Sequence, residues 1–185
     1  MTLDKFIIDR EDTVLLIVDI QDKLAAVMKE KDKVVRNTLH LVELAKLINM
    51  PVIVTEQYPR GLGTTVPEIR EALPFYRPVE KMTFDCCGQP DFLEELKEHN
   101  KRNVILTGME THICVLQTCI GLLRGGINVH VVRDAICSRT EENWKIGTEF
   151  MREAGAAVTC TETVLFQLLK VAGTEEFKAI SKRIK

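Results

Sequence analysis

The sequence predicts a three-layer α/β/α, Rossmann-like domain built on a central parallel sheet of about six strands. Three observations predict it. Short apolar runs rich in Val, Ile and Leu recur along the chain, as expected of strands in a parallel sheet covered on both faces. Helical stretches alternate with those runs, which implies right-handed crossovers and helices on either side. The length of 185 residues fits a single domain spanning residues 1–185, because domains commonly hold ~100–200 residues.

The elements follow in order. Thr13–Val18 reads TVLLIV and ends at Asp19. Asp32–Asn49 places Val34, Leu41, Val42, Ala45 and Ile48 at helical spacing, and Pro51 closes it. Val52–Thr55 reads VIVT. The stretch Glu56–Pro90 carries Pro59, Gly61, Gly63, Pro67, Pro74, Pro78 and Gly88. Apolar residues continue through it, so it reads as a long functional insertion with one short strand at Pro78–Lys81. Pro90–His99 is an amphipathic helix through Phe92, Leu93 and Leu96. Asn103–Thr107 reads NVILT. His112–Arg124 is apolar around most of its circumference, which predicts a buried helix, and Gly125-Gly126 ends it. Ile127–Val132 reads INVHVV, Glu141–Ala154 is a helix, Ala157–Thr159 a last short strand, and Thr163–Val171 a last helix.

Composition excludes several classes. Hydrophobic residues make up 45% and charged residues 28%, which is globular rather than disordered. Lys+Arg 25 against Asp+Glu 27 gives −2, so no basic field draws nucleic acid or an anionic membrane. No apolar run reaches the ~20 residues of a membrane span. Asp4, Lys5, Asp9 and Arg10 leave Met1–Arg10 without the apolar core of a signal peptide. The six cysteines include no C-x-x-C pair, which argues for free thiols in a reducing, cytoplasmic setting.

Ligands of open α/β sheets bind beyond the carboxyl ends of the strands. Asp19, Glu56, Gln57, Lys81, Thr107–Cys114 and Asp134 all fall there. An acid, a cation and a thiol thus converge from three segments. Cys114 lies in the first turn of a predicted helix, where the helix dipole favours a thiolate and backbone N–H groups can hold an oxyanion; the other reading is a small buried core residue. Asp19 fits either a base for Cys114 or the N-cap of a helix starting near Gln21. Lys81 fits either a partner to that pair or a solvated loop charge. His112 is two residues from Cys114 and does not share its helix face, so it reads as structural; Asp134 reads as a loop cap. Of the four histidines, His40, His99, His112 and His130, only His112 is near this edge. A catalytic zinc commonly takes three protein ligands, so neither metal nor cofactor is expected. D-I-Q-D after the first strand replaces the glycine-rich turn of a dinucleotide site.

V-D-I-Q-D at Val18–Asp22, K-M-T-F-D at Lys81–Asp85, G-M-E-T-H-I-C-V at Gly108–Val115 and D-A-I-C-S-R at Asp134–Arg139 together resemble the isochorismatase-like cysteine hydrolases, which include nicotinamidases. T-E-Q-Y-P-R-G-L-G at Thr55–Gly63 resembles the isochorismatase-domain-containing subgroup, whose substrates are mostly undefined. The resemblance implies a triad of Asp19, Lys81 and Cys114. It also implies an oxyanion hole from the backbone N–H groups of Glu110 and Cys114, and a cis peptide at Met109–Glu110. Gln57, Tyr58 and Phe84 would line the substrate pocket. The nicotinamidase metal ligands have no counterpart in Glu56–Gly63. The implied activity is hydrolysis of a small amide-like C–N bond through a thioester-type intermediate, in a homo-oligomer. A catalytically silent binding or scaffold protein, and a hydrolase of an isochorismate-like vinyl ether, are the alternatives.

Overall fold

A computed structural model describes residues 3–185; Met1 and Thr2, the start of the charged N-terminal stretch, lie outside the described residues. Six strands run in chain order: β1 Thr13–Val18, β2 Val52–Gln57, β3 Val79–Lys81, β4 Asn103–Met109, β5 Asn128–Cys137 and β6 Ala157–Thr159. They form one sheet in the order β3-β2-β1-β4-β5-β6, with every neighbouring pair parallel. The helices are α1 Asp22–Ala25, α2 Lys31–Leu47, α3 Pro59–Leu62, α4 Pro67–Ala72, α5 Pro90–His99, α6 Leu116–Arg124, α7 Glu141–Glu153, α8 Thr161–Leu169 and α9 Glu175–Arg183. A wide turn, Thr111–Val115, leads into α6.

Strand alternation explains the layers, because successive side chains point to opposite faces. Leu15 and Ile17 of β1 join Val34, Leu41, Ile69, Val164 and Ile180 beneath α2, α4, α8 and α9. Val14, Leu16 and Val18 join Phe92, Cys119, Leu122 and Met151 beneath α5, α6 and α7. All six β1 residues are buried, so the strand is apolar without a break.

Three expectations shift. β2 runs on to Gln57, so Glu56 and Gln57 are the last residues of the strand rather than the loop after it. β5 continues through Cys137 rather than ending at Val132. A register shift opposite Leu106 and Gly108 lets Arg133 and Asp134 emerge before Ala135–Cys137 return to the sheet. A bulge of this kind absorbs a charged pair that otherwise reads as a strand end. The helix predicted from His112 starts as the wide turn at Thr111 and becomes regular only at Leu116. The short helices of the insertion and α9 were not anticipated; α9 is capped by Thr174, whose Oγ1 accepts from Phe177 N.

The order of the sheet reverses between β1 and β4. In such sheets a crevice opens where neighbouring strands lead to opposite sides. Asp19 leaves β1 there, and the turn carrying Cys114 leaves β4.

Candidate active site

Asp19 follows directly on β1 and adopts a left-handed conformation, φ 52°, which Asp tolerates better than most residues. Its backbone N–H donates to Thr55 O and its carbonyl accepts from Gln21 N. The carboxylate is fully buried. Oδ1 accepts from Thr55 Oγ1 at 2.7 Å and Oδ2 accepts from Lys81 Nζ at 2.7 Å. The cap of α1 is Gln21, so Asp19 does not serve as an N-cap.

Lys81 ends β3 and its side chain has no exposure, which discards the solvated-charge reading. Nζ donates to Asp19 Oδ2, to Gln57 Oε1 at 2.7 Å and to Thr83 O at 3.3 Å. Three acceptors match the three protons of an ammonium. Burial alone would depress its pKa; the Asp19 carboxylate, by its charge and its hydrogen bond, outweighs burial and raises it. Lys81 is held as a cation.

Cys114 is buried in the turn after β4. Its thiol is pushed well above the ordinary range, first by burial and then by the Asp19 carboxylate, which acts on it both as a charge and as a hydrogen-bond acceptor; Lys81 pulls in the opposite direction. Acid and cation are paired, and both act on the thiol. A helix start favours a thiolate; burial and the Asp19 carboxylate act against it here.

The peptide bond Met109–Glu110 is cis. Glu110 O accepts from Ile113 N and Val115 N. The Glu110 carboxylate is nearly buried and accepts from Arg139 N at 3.0 Å and Nε at 3.1 Å. Just upstream, Gly108 has φ +133°, and a Cβ there would lie 2.1 Å from Val18 O. Only glycine lets β4 pass this close to the end of β1, and so bring the Cys114 turn to Asp19.

Gln57 is buried with both ends of its amide engaged. Oε1 accepts from Lys81 Nζ and Nε2 donates to Met82 O. Gln57 braces Lys81 rather than offering a free amide to the pocket. Gln21 braces Gln57 in turn, accepting from its N–H and donating to its carbonyl. Tyr58 and Phe84 are about half exposed, and Met82 more so. His112 lies off the Cys114 face, with Nδ1 2.9 Å from Ser138 Oγ. Asp134 sits within β5 and caps α8, accepting from Thr161 N and Oγ1.

Thr55, Gln21 and Cys86 were not singled out in sequence. Cys86 was grouped with the other cysteines, yet it lies in the same field: burial, then Asp19, push its thiol up to about 12. The T-E-Q and V-D-I-Q-D segments held the signal for Thr55 and Gln21. Nothing local in C-C-G marked Cys86.

Among the described residues, no helix is long and apolar enough to cross a membrane. A buried acid–cation pair acts on a buried thiol where the order of the parallel sheet reverses. Residues 13–163 match the Isochorismatase domain, and the chain belongs to the isochorismatase family, whose members are generally hydrolases. The secreted isochorismatase effector Isc1 of Phytophthora sojae is 40% identical over 182 residues, covering 94% of this chain and 84% of that protein. A structure described as MAR1 ribonuclease from Caenorhabditis elegans is 38% identical with a TM-score of 0.89, covering 96% and 91% of the two chains. YcaC from Pseudomonas aeruginosa, solved with covalent acrylamide, is 26% identical with a TM-score of 0.91 and coverage of 99% and 93%.

Proposed function

We propose that this protein is a cysteine hydrolase of a small amide-like substrate, with Cys114 as nucleophile, Asp19 as proton acceptor and donor, and Lys81 as the fixed cation. The observation that carries the reading is the fully buried Lys81–Asp19 pair, 2.7 Å apart, with both groups acting on one thiol. Two buried charges are costly to hold in a core, and a thiol whose proton has an acceptor beside it is equipped to attack.

The raised thiol sets the order of events. As sulfur bonds to the substrate's carbonyl carbon, the thiol proton passes to Asp19. The carbonyl π pair moves to oxygen, where the N–H groups of Glu110 and Cys114 receive it. Asp19 returns the proton to nitrogen as the C–N bond breaks, leaving a thioester. Water then loses a proton to Asp19 and attacks the thioester; the acid departs and the proton returns to sulfur. Lys81 stays protonated throughout and holds Asp19 in place between turnovers. Tyr58, Met82 and Phe84 form an apolar rim, which suits an uncharged substrate and a contact between copies in a homo-oligomer.

A second reading, cleavage of RNA, is favoured by the name of the Caenorhabditis elegans relative. Against it, Lys81 has all three protons engaged within the protein and the chain carries −2 net charge.

One experiment addresses both. Wild type and Cys114→Ala are assayed on simple amides, carbamoyl compounds, nitriles and a structured RNA. The proposal expects turnover of a carboxamide or carbamoyl compound that Cys114→Ala loses by more than ~10³-fold. Turnover that survives in Cys114→Ala, or cleavage of RNA alone, contradicts it.

A further inference from the structure

We infer that Gly147, on α7, is a positioning residue for the reactive turn: the segment from the end of β5 into α7 clamps Glu110–Cys114 at three points, and Gly147 sets the spacing. The inference rests on reading Cys114 as the nucleophile. Two of the points are polar. Glu110 Oε2 accepts from Arg139 N and Nε at 3.0 and 3.1 Å, and His112 Nδ1 lies 2.9 Å from Ser138 Oγ. The third is steric. Gly147 is buried in the middle of α7, and a Cβ there would lie 3.0 Å from His112 Cα, 3.1 Å from His112 N and 3.1 Å from Thr111 C.

Those atoms are backbone, not the ends of flexible side chains. An added methyl is accommodated only when the turn or the helix moves by a few tenths of an ångström. Glycine is a poor residue for a helix centre, and here the close approach of α7 to the turn requires it. The consequence falls on chemistry before stability. Oxyanion donors act at ~2.7–3.1 Å from the developing charge, and both proposed donors belong to the turn that Gly147 touches.

Two electrophiles separate donor geometry from thiol access. Iodoacetamide alkylates by displacement: the S–C bond forms, iodide leaves with its electron pair, and the thiol proton goes to base. No oxyanion develops. Acrylamide adds through its β-carbon: the S–C bond forms, the alkene electrons move onto the carbonyl oxygen as an enolate, and the α-carbon then takes a proton. Its rate depends on donors to that oxygen.

Both rates at Cys114 are read by mass spectrometry on the full chain in wild type, Gly147→Ala and Arg139→Ala, with thermal melts alongside. Misplacement of ~1 Å costs ~10²-fold, so a few tenths should slow acrylamide addition in Gly147→Ala by about tenfold and leave iodoacetamide within about threefold of wild type. Arg139→Ala adds no atoms and cannot clash; it should slow acrylamide addition in the same direction by less. The melting temperature of Gly147→Ala should change little, because alanine favours the helix. An unchanged acrylamide rate in the folded variants, or equal slowing with both reagents, overturns the inference. If Gly147→Ala does not fold, Arg139→Ala decides by the same two rates. If wild-type Cys114 reacts no faster than Cys86 or Cys119, the nucleophile reading fails and this inference with it. Selective labelling in wild type that the variants leave unchanged overturns the clamp alone.

Discussion

Two carboxylates are buried one strand apart, Asp19 after β1 and Glu56 near the end of β2, and their surroundings differ in kind. Glu56 Oε1 accepts from Thr65 N, Thr65 Oγ1 and Tyr76 hydroxyl. All three are neutral donors from the insertion, and they lie on the α4 side of the sheet. Asp19 faces the α6 side, against a lysine cation, one hydroxyl and a thiol. Burial is the same, 0% and 2% exposed. The partners, not the burial, separate the two. Glu56 ties the insertion to the sheet through neutral donors. Asp19 stands against a cation and acts on a thiol.

The largest effect should come from breaking the Asp19 pair at its cation. Lys81→Ala leaves a buried carboxylate unpaired, and should cost ~3–5 kcal/mol of stability in denaturant unfolding. It should also raise the Cys114 thiol further, because Lys81 is the group that lowers it, and abolish most turnover. Lys81→Arg should recover little, since a planar guanidinium does not replace a compact ammonium with three acceptors around it. A stability change under ~0.5 kcal/mol would place Lys81 among ordinary surface charges.

His130 marks the limit of a buried group without a partner. It lies on β5, 1% exposed, with Nε2 unpaired, and burial lowers its pKa to about 4. The folded value lies below the unfolded one, so the unfolded chain binds the extra proton. The His130 contribution to stability should therefore be full above about pH 6.5 and fall by about 3 kcal/mol as pH drops to about 4. His130→Gln should flatten that part of the curve in pH-dependent unfolding. An unchanged curve would assign the acid loss to the carboxylates instead.

The smallest effect sharpens the other side of the comparison. Glu56→Ala strands the Thr65 and Tyr76 donors and should cost ~1–3 kcal/mol. The iodoacetamide rate at Cys114 should stay within about twofold of wild type, because Glu56 faces away from the thiol. A large loss of Cys114 reactivity would show that the insertion feeds directly into the reactive cluster.

The sequence made Asp19, Lys81 and Cys114 legible because strand ends are where a parallel sheet presents its side chains, and three unlike reactive residues stood at three of them. It left the role of Glu56 open, although it set Asp19 apart through the V-D-I-Q-D segment. Both follow an apolar run, and their difference depends on Thr65 and Tyr76 folding back from an insertion whose path carries no period. Cys86 escaped for the same reason. The end of β5 was misread because Arg133-Asp134 breaks an apolar run that the bulge then resumes. α9 went unread because its charged, amphipathic stretch buries little beyond Ile180. The environment of the thiol was also illegible: a helix start favours a thiolate, whereas burial and then the Asp19 carboxylate push the thiol up.

That environment offers the most direct measurement. The ionisation of Cys114 can be followed against pH by thiolate absorbance, with Cys114→Ala subtracted, in wild type and Asp19→Asn. The account predicts that wild-type Cys114 stays protonated beyond the ordinary thiol range. Asp19→Asn should shift its titration to lower pH, because the carboxylate holds the proton on sulfur, and yet lose turnover by ~10²-fold or more, because the proton has lost its acceptor. A Cys114 already ionised at neutral pH in wild type, or an Asp19→Asn protein that titrates and turns over as wild type does, would contradict it.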